Sequence, residues 1–250
     1  MCGRYSLFAA QPDVEERFDA TADRPLEPRY NCAPSQSLPV VTDADPGRIR
    51  HLRWGLVPAW ADDESTSFIN ARSETVREKR SFAEPFERRR CLVLADGFYE
   101  WAERPAGDGE GGSGTRSGSG NGSGGKQPYR VALTDDEPFA MAGVYERWTP
   151  PRTQTGLSDF GGGAAETEPE VVESFAVLTT EPNDVVSPLH DRMSVVLAPD
   201  EEETWLHDEP EAAAALCDPY PPAEMRAYPV STRVNSPAND DPSLVDPVDG

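Results

Sequence analysis

Short apolar runs broken by turn residues set the rhythm of this chain. CLVLADGFYEW (91–101), PYRVAL (128–133), FAMAGVYERW (139–148) and SFAVLTT (174–180) are rich in β-branched and aromatic residues and bounded by Gly, Pro, Asp or Thr. Each predicts a strand, as does RHLRWGL (50–56). Helical text is sparser: Asp13–Ala20, Arg72–Arg80, Ser81–Arg90, a segment capped by Asp200 that runs through His207 with acids in its first turn, and the Ala-rich Glu211–Leu216. Strands separated by loops or short helices, without regular βαβ alternation, predict an α+β fold built on an antiparallel, barrel-like sheet flanked by short helices.

Two stretches break the pattern. Residues 105–127 contain GGSGTRSGSGNGSGG, and residues 149–170 contain Pro150-Pro151 and Gly161-Gly162-Gly163. Such text cannot repay ordering entropy. Strand-like flanks on both sides of each stretch predict flexible loops within a single domain spanning 1–250; a linker between domains is the alternative.

Charge narrows the choice of partners. The 250 residues carry 45 acids against 23 bases, a net charge of −22, and every base except Lys79 and Lys126 is arginine. The acids are mostly spread, with short clusters such as Asp200-Glu201-Glu202-Glu203, a composition suited to a salt-rich, halophilic cytoplasm. Such a surface repels nucleic acid, so a nucleic-acid binder of this composition must rely on a few placed arginines, stacking or covalent capture. Cys2, Cys32, Cys91 and Cys217 form no CxxC, and His51, His190 and His207 are scattered, so neither metal nor cofactor is expected. Without a run of ~18–20 apolar residues or a basic-then-apolar leader, the expectation is a cytoplasmic protein with no membrane span, and nothing in the sequence demands more than a monomer.

The chain begins MCGRY. Removal of Met1 would leave Cys2 with a free α-amine and a thiol on adjacent carbons, a pair no internal cysteine can offer. Position alone favours a plainer reading, a buried cysteine in an N-terminal strand. Four polar elements then sit within apolar text: RYNCAPSQ (29–36), FINARSETV (68–76), LADGFYEW (94–101) and PLHDRMSVVL (188–197). Taken singly, Asn70 reads as a helix cap, Glu100 as a residue on a strand's wet face and His190 as a loop histidine.

In order, MCGRY, RYNCAPSQ, RWGLVPAW, INARSET, DGFYEW, HDRM and VSTRVN resemble the SRAP family, the SOS response-associated peptidases, which include abasic-site processing proteins. The likeness spans the chain apart from the two low-complexity stretches, and its charge suggests a halophilic archaeal member. The resemblance implies that Cys2 forms a thiazolidine with the aldehyde of an abasic site in single-stranded DNA. It implies that Asn70 holds Cys2 and the sugar, that Glu100 moves protons in ring opening and imine formation, and that His190 assists proton transfer at the sugar. Arg4, Arg72 and Arg192 are implied phosphate contacts, Asn31 and Pro34 a loop wedged against an unstacked base, and Trp60 a stacking face. Trp54 is left unassigned, and Cys32 and Cys91 read as small buried residues. The family's RMP is here Met193-Ser194, a departure in the loop rather than at His190. The protein would associate with the nucleoid when bound to damage, and lyase activity is part of the expectation. Two other functions stay open: a peptidase using the Cys2 thiol with His190 or Glu100 as base and removing its own Met1, and a non-catalytic single-strand binding module.

Overall fold

The apolar runs form strands, and the strands divide between two sheets. The computed structural model describes residues 3–103, 126–150 and 171–249. The first sheet holds β1 (Tyr5–Leu7), β3 (Arg29–Cys32), β8 (Gly97–Ala102), β9 (Gln127–Leu133) and β14 (Met225–Pro229), in the order β14-β9-β8-β1-β3. The second holds β2 (Thr21–Ala22), β4 (Ser37–Thr42), β5 (Asp45–Trp54), β7 (Arg90–Ala95), β10 (Phe139–Trp148), β11 (Val172–Thr180) and β12 (Met193–Ser194). Beside it lie β6 (Asn70–Arg72) and β13 (Val196–Leu197). Pairing is antiparallel except where β5 meets β2 and where β11 meets β5 and β6.

Alternation along each strand of the larger sheet sorts its side chains between two cores. Cys91, Val93, Phe175 and Val177 face the smaller sheet and pack with its Tyr5, Cys32, Phe98 and Val131, closing a barrel-like interior. Trp54 sits there, 5.1 Å from the Tyr5 ring centroid and 6.3 Å from that of Phe175. Leu92, Leu94, Ala176 and Leu178 face the other way, toward α1 (Gln11–Phe18), α2 (Ala83–Arg88), α3 (Glu202–His207) and α4 (Pro210–Ala215). A sheet buried on both faces explains why its strands read as near-continuous apolar text. The result is α+β, with a barrel-like sheet pair and short flanking helices. Behind the smaller sheet, the C-terminal segment packs Val230, Val234 and Leu244 against Tyr99.

Several boundaries differ from expectation for local reasons. α1 begins at Gln11, because Pro12 fits a first turn, and ends at Phe18, because Asp19 turns left-handed at φ 46°. Arg72–Arg80 is not an α-helix. Its Glu and Lys spacing imitates one, but Asn70, Ala71 and Arg72 pair with Val177, Leu178 and Thr179 as a strand, and Ser73–Thr75 makes one 3-10 turn. Asn70 is therefore a strand residue rather than a helix cap. Gln127, assigned above to a loop, opens β9 opposite Ala102 and is buried. The remaining loop expectations, across 105–125 and 151–170, lie outside the described residues. The strands on either side of each are neighbours, β8 with β9 and β10 with β11. Among the described residues no helix is long and apolar enough to cross a membrane.

Candidate active site

Glu100 lies on β8, between β1 and β9 and opposite Tyr129. It shares a face with Phe98, two residues back, so its carboxyl turns toward the barrel interior, and it is 1% exposed. Burial pushes that carboxyl up from 4.5 to about 7, because a charge taken out of water loses its hydration. The N-terminal strand runs antiparallel beside it. Tyr5 pairs with Phe98 and Ser6 with Gly97, and the Tyr99 amide donates to the Arg4 carbonyl at 3.0 Å. One more step along that register sets Gly3 across from Glu100. Cys2 itself lies outside the described residues.

His190 is held on a turn that Asn183 builds. The Asn183 Oδ1 accepts from the amides of Val185 and Val186, both at 3.1 Å, while its Nδ2 donates to the Tyr220 carbonyl at 2.7 Å. The His190 amide closes the turn on Val186 O at 3.0 Å. On the ring, Nδ1 lies 3.0 Å from the Arg192 amide and 2.8 Å from the Asp191 carboxylate. Burial lowers its pKa, opposed by the neighbouring Asp191 carboxylate. Asp191 and Lys126 act on Glu100 as well, so the two titrating groups share one electrostatic neighbourhood. Asn70, opposite Val177, lies at the same end of β11 as the His190 loop, whose Met193 and Ser194 pair with Thr180 and Thr179.

The other expected contacts divide. Arg72 is exposed and carries no ion pair among the described residues. Pro34 occupies the second position of a turn closed by Gln36 N on Ala33 O at 3.3 Å, with Ser35 at φ 70°, the arrangement of a type II turn. Trp60 is 40% exposed with Arg80 above its ring at 5.1 Å, in a hollow whose lining includes none of Asn70, Glu100 or His190. Three residues are engaged inside the protein instead. Asn31, expected at the wedge, is fully buried, and its Nδ2 donates to the carbonyls of Val234, Ser236 and Asn239 at 3.1, 3.0 and 2.8 Å. Arg4 is half-buried and donates from Nη1 to Val234 O at 2.9 Å. Arg192, expected on phosphate, grips Glu74 with both guanidinium nitrogens and Thr179 O at 2.6 Å. These three brace the loops around the site.

Some contributors escaped the sequence. Asn183 had no signal beyond a Pro-Asn pair after a strand. Glu74 read as helix surface. Asp96 was visible within DGFYEW but had no role until its partners were known. The bases are more instructive. Most arginines are spent on carboxylates; the exposed bases without an ion pair among the described residues are Arg24, Arg72, Lys79, Arg80 and Arg88. Four of the five lie within residues 72–88, directly after Asn70. Among the described residues no group of His, Cys, Asp or Glu gathers as a metal site requires.

A buried carboxyl with a raised pKa thus lies on the strand that pairs with the N-terminal strand. The chain belongs to the SOS response associated peptidase (SRAP) family, whose profile matches residues 1–237. It is 36% identical over 255 residues to abasic site processing protein YoqW of Bacillus subtilis, covering 98% of this chain and 99% of that one. It is 31% identical over 257 residues to abasic site processing protein HMCES of Gallus gallus, covering 89% and 67% respectively. A crystal structure of a Bacteroides thetaiotaomicron protein superposes with a TM-score of 0.76 at 26% identity, covering 99% of this chain and all of that one.

Proposed function

We propose that this chain processes abasic sites in DNA by capturing the open-chain aldehyde of the lesion on Cys2. The observation that carries the reading is Glu100: a carboxyl 1% exposed, with a pKa raised to about 7, on the strand that pairs with the N-terminal strand. Relatives named abasic site processing proteins over nearly the whole chain support the substrate. The chemistry follows from the groups. The Cys2 α-amine, with an ordinary pKa near ~8, attacks the aldehyde carbon, and the carbinolamine loses its hydroxyl as water to give an imine. The thiol then adds across the C=N bond, its proton passing to nitrogen, and closes a five-membered thiazolidine. Glu100 near pKa 7 gives the proton that leaves with the hydroxyl and takes one from the attacking amine. His190 serves the sugar hydroxyl during ring opening, and Asn70 holds the sugar by hydrogen bonds.

The partner is single-stranded DNA, whose backbone a short run of unpaired bases can follow. Arg72, with Lys79, Arg80 and Arg88 beyond it, supplies that run on an otherwise acidic surface, and Pro34 and Trp60 offer faces to unstacked bases. The protein acts as a cytoplasmic monomer. The test is a denaturing gel of protein mixed with an abasic single strand. Wild-type chain should give a shifted band and Cys2→Ala none, while Cys2→Ala still binds the strand non-covalently. Intact mass should show Met1 absent, since ring closure needs a free amine. An unchanged band from Cys2→Ala would refute covalent capture, and peptide cleavage lost with Cys2 in place of a band would favour the peptidase reading.

A further inference from the structure

Asp96 and Arg130 form a buried charged pair that the capture chemistry does not use. Both side chains are 2% exposed. Asp96 Oδ1 accepts from Ser6 Oγ at 2.6 Å and from Arg130 Nη2 at 3.1 Å, and Oδ2 accepts from the amides of Phe8 at 2.5 Å and Ala9 at 3.2 Å. Arg130 also donates to the Tyr228 hydroxyl at 3.0 Å and the Asp96 carbonyl at 2.7 Å. Gly97 keeps this path open: a Cβ there would stand 2.7 Å from the guanidinium. A buried ion pair gains little over apolar packing of the same volume, so stability alone does not account for it. Three of the four donors on Asp96 belong to β1 or the two residues after it.

β1 needs such an anchor. It is three residues long, makes two register pairs with β8, and its pairing with β3 shifts between Tyr5 and Leu7. A one-residue slip would turn Tyr5 out of the barrel and Ser6 into it, and would carry the N-terminus about 3.3 Å past Glu100. Only one register lets the Ser6 hydroxyl and the amides of residues 8 and 9 reach the same carboxylate.

We propose that Asp96 is a positioning residue, which fixes the register of β1 against β8 and thereby the reach of the N-terminal amine and thiol to Glu100. The inference rests on the capture reading above. It is tested on the full chain with Asp96→Asn and with Ser6→Ala, the milder change that keeps the Arg130 pair. Adduct formation with an abasic single strand should slow about 100-fold in the first, the cost of a misplacement near 1 Å, and about five-fold in the second, the loss of one hydrogen bond. Non-covalent binding of the strand should hold. The Tyr99 amide, bonded to Arg4 O, should exchange faster with deuterated water. The pH–rate limb belonging to Glu100 should fall below 7 as water reaches it, with Asp191 and Lys126, the other side chains acting on it, left in place.

Folded variants with wild-type rate, exchange and pH profile would overturn the proposal. So would a rate loss that merely follows the unfolded fraction with an unmoved profile. A wild-type chain that forms no adduct would overturn the capture reading instead. Tyr99 exchange would then decide the register claim alone, faster exchange upholding it and unchanged exchange overturning it.

Discussion

Replacing Glu100 by Gln should make the protein more stable and less active, and the two effects should separate by pH. Glu100 rises from 4.5 to about 7 on folding because burial disfavours its charge. Below pH 4.5 the carboxyl is neutral in both folded and unfolded chains and costs nothing. Between 4.5 and 7 the unfolded chain releases the proton while the folded chain keeps it, so stability falls as pH rises. Above 7 the full cost is in place, about 3 kcal/mol at 1.36 kcal/mol per pH unit. Gln has the shape of the neutral acid and no charge to desolvate. Glu100→Gln should therefore match wild type at pH 4 and exceed it at pH 8 by about 3 kcal/mol, worth about 6–12 °C in melting temperature for a chain of this size. Its adduct rate should drop about 100-fold or more, the usual contribution of a placed acid–base group. The wild-type rate should peak between about pH 7, where Glu100 still carries a proton, and about pH 8, where the amine is free; the variant should lose the limb near 7. Thermal unfolding at pH 4, 6 and 8 in constant salt, with adduct yield measured alongside, gives both quantities. Equal stability of the two chains at pH 8 would refute the claim that burial holds this carboxyl neutral, and with it the acid–base argument.

Arg72→Ala should weaken binding of every single-stranded sequence alike, since phosphate contacts carry no base information, and should flatten the salt dependence by about 0.7 in log–log slope. Arg192→Ala should lower the melting temperature and the adduct rate while leaving that slope alone, because its guanidinium holds Glu74 and Thr179; fluorescence anisotropy across oligonucleotides and salts separates the two. With a net charge of −22, long-range attraction to DNA is weak and salt also screens repulsion, so adduct yield should persist at molar salt; a steep fall in yield from protein that stays folded would show that electrostatic attraction drives recognition.

Apolar runs bounded by turn residues were enough to read β5, β9, β10 and β11. But CLVLADGFYEW, expected as one strand, is two, β7 and β8, which part at Asp96 into different sheets, and β1, β3, β4 and β14 were not read. The division into two sheets was not legible: Leu92 and Val93 are equally apolar, and only the assembled fold tells which faces the helices. The false helix at Arg72–Arg80 shows the limit of charge spacing, since the competing partner, β11, lies a hundred residues away in sequence. At the site, Glu100 was visible as an acid between Tyr99 and Trp101, but its pKa depends on burial that no local pattern reports. Arg72 and Arg192 look alike as sequence. The structure distinguishes them by their partners: Arg192 grips Glu74 and Thr179, while Arg72 is exposed with no ion pair among the described residues.

On the proposed chemistry the DGFYEW segment would do two jobs whose physical demands conflict. Glu100 must lie where water is scarce, or its pKa returns to the ordinary carboxylate range and the proton it would donate is gone at neutral pH. Yet the same dryness costs the fold about 3 kcal/mol above pH 7, next to a strand of three residues that cannot hold itself in place. Four residues earlier, Asp96 draws the side chain and amides of that strand onto a buried carboxylate, and Gly97 keeps the space beside Arg130 clear. Successive strand residues alternate faces. Tyr99 consequently faces the C-terminal segment, while Phe98 and Glu100 share the barrel side. One strand thus carries the acid, and the residues at its start carry the clamp for the neighbouring chain end. Capture on Cys2, as proposed, would need this arrangement, because a chain terminus is the part of a fold least constrained by its own neighbours.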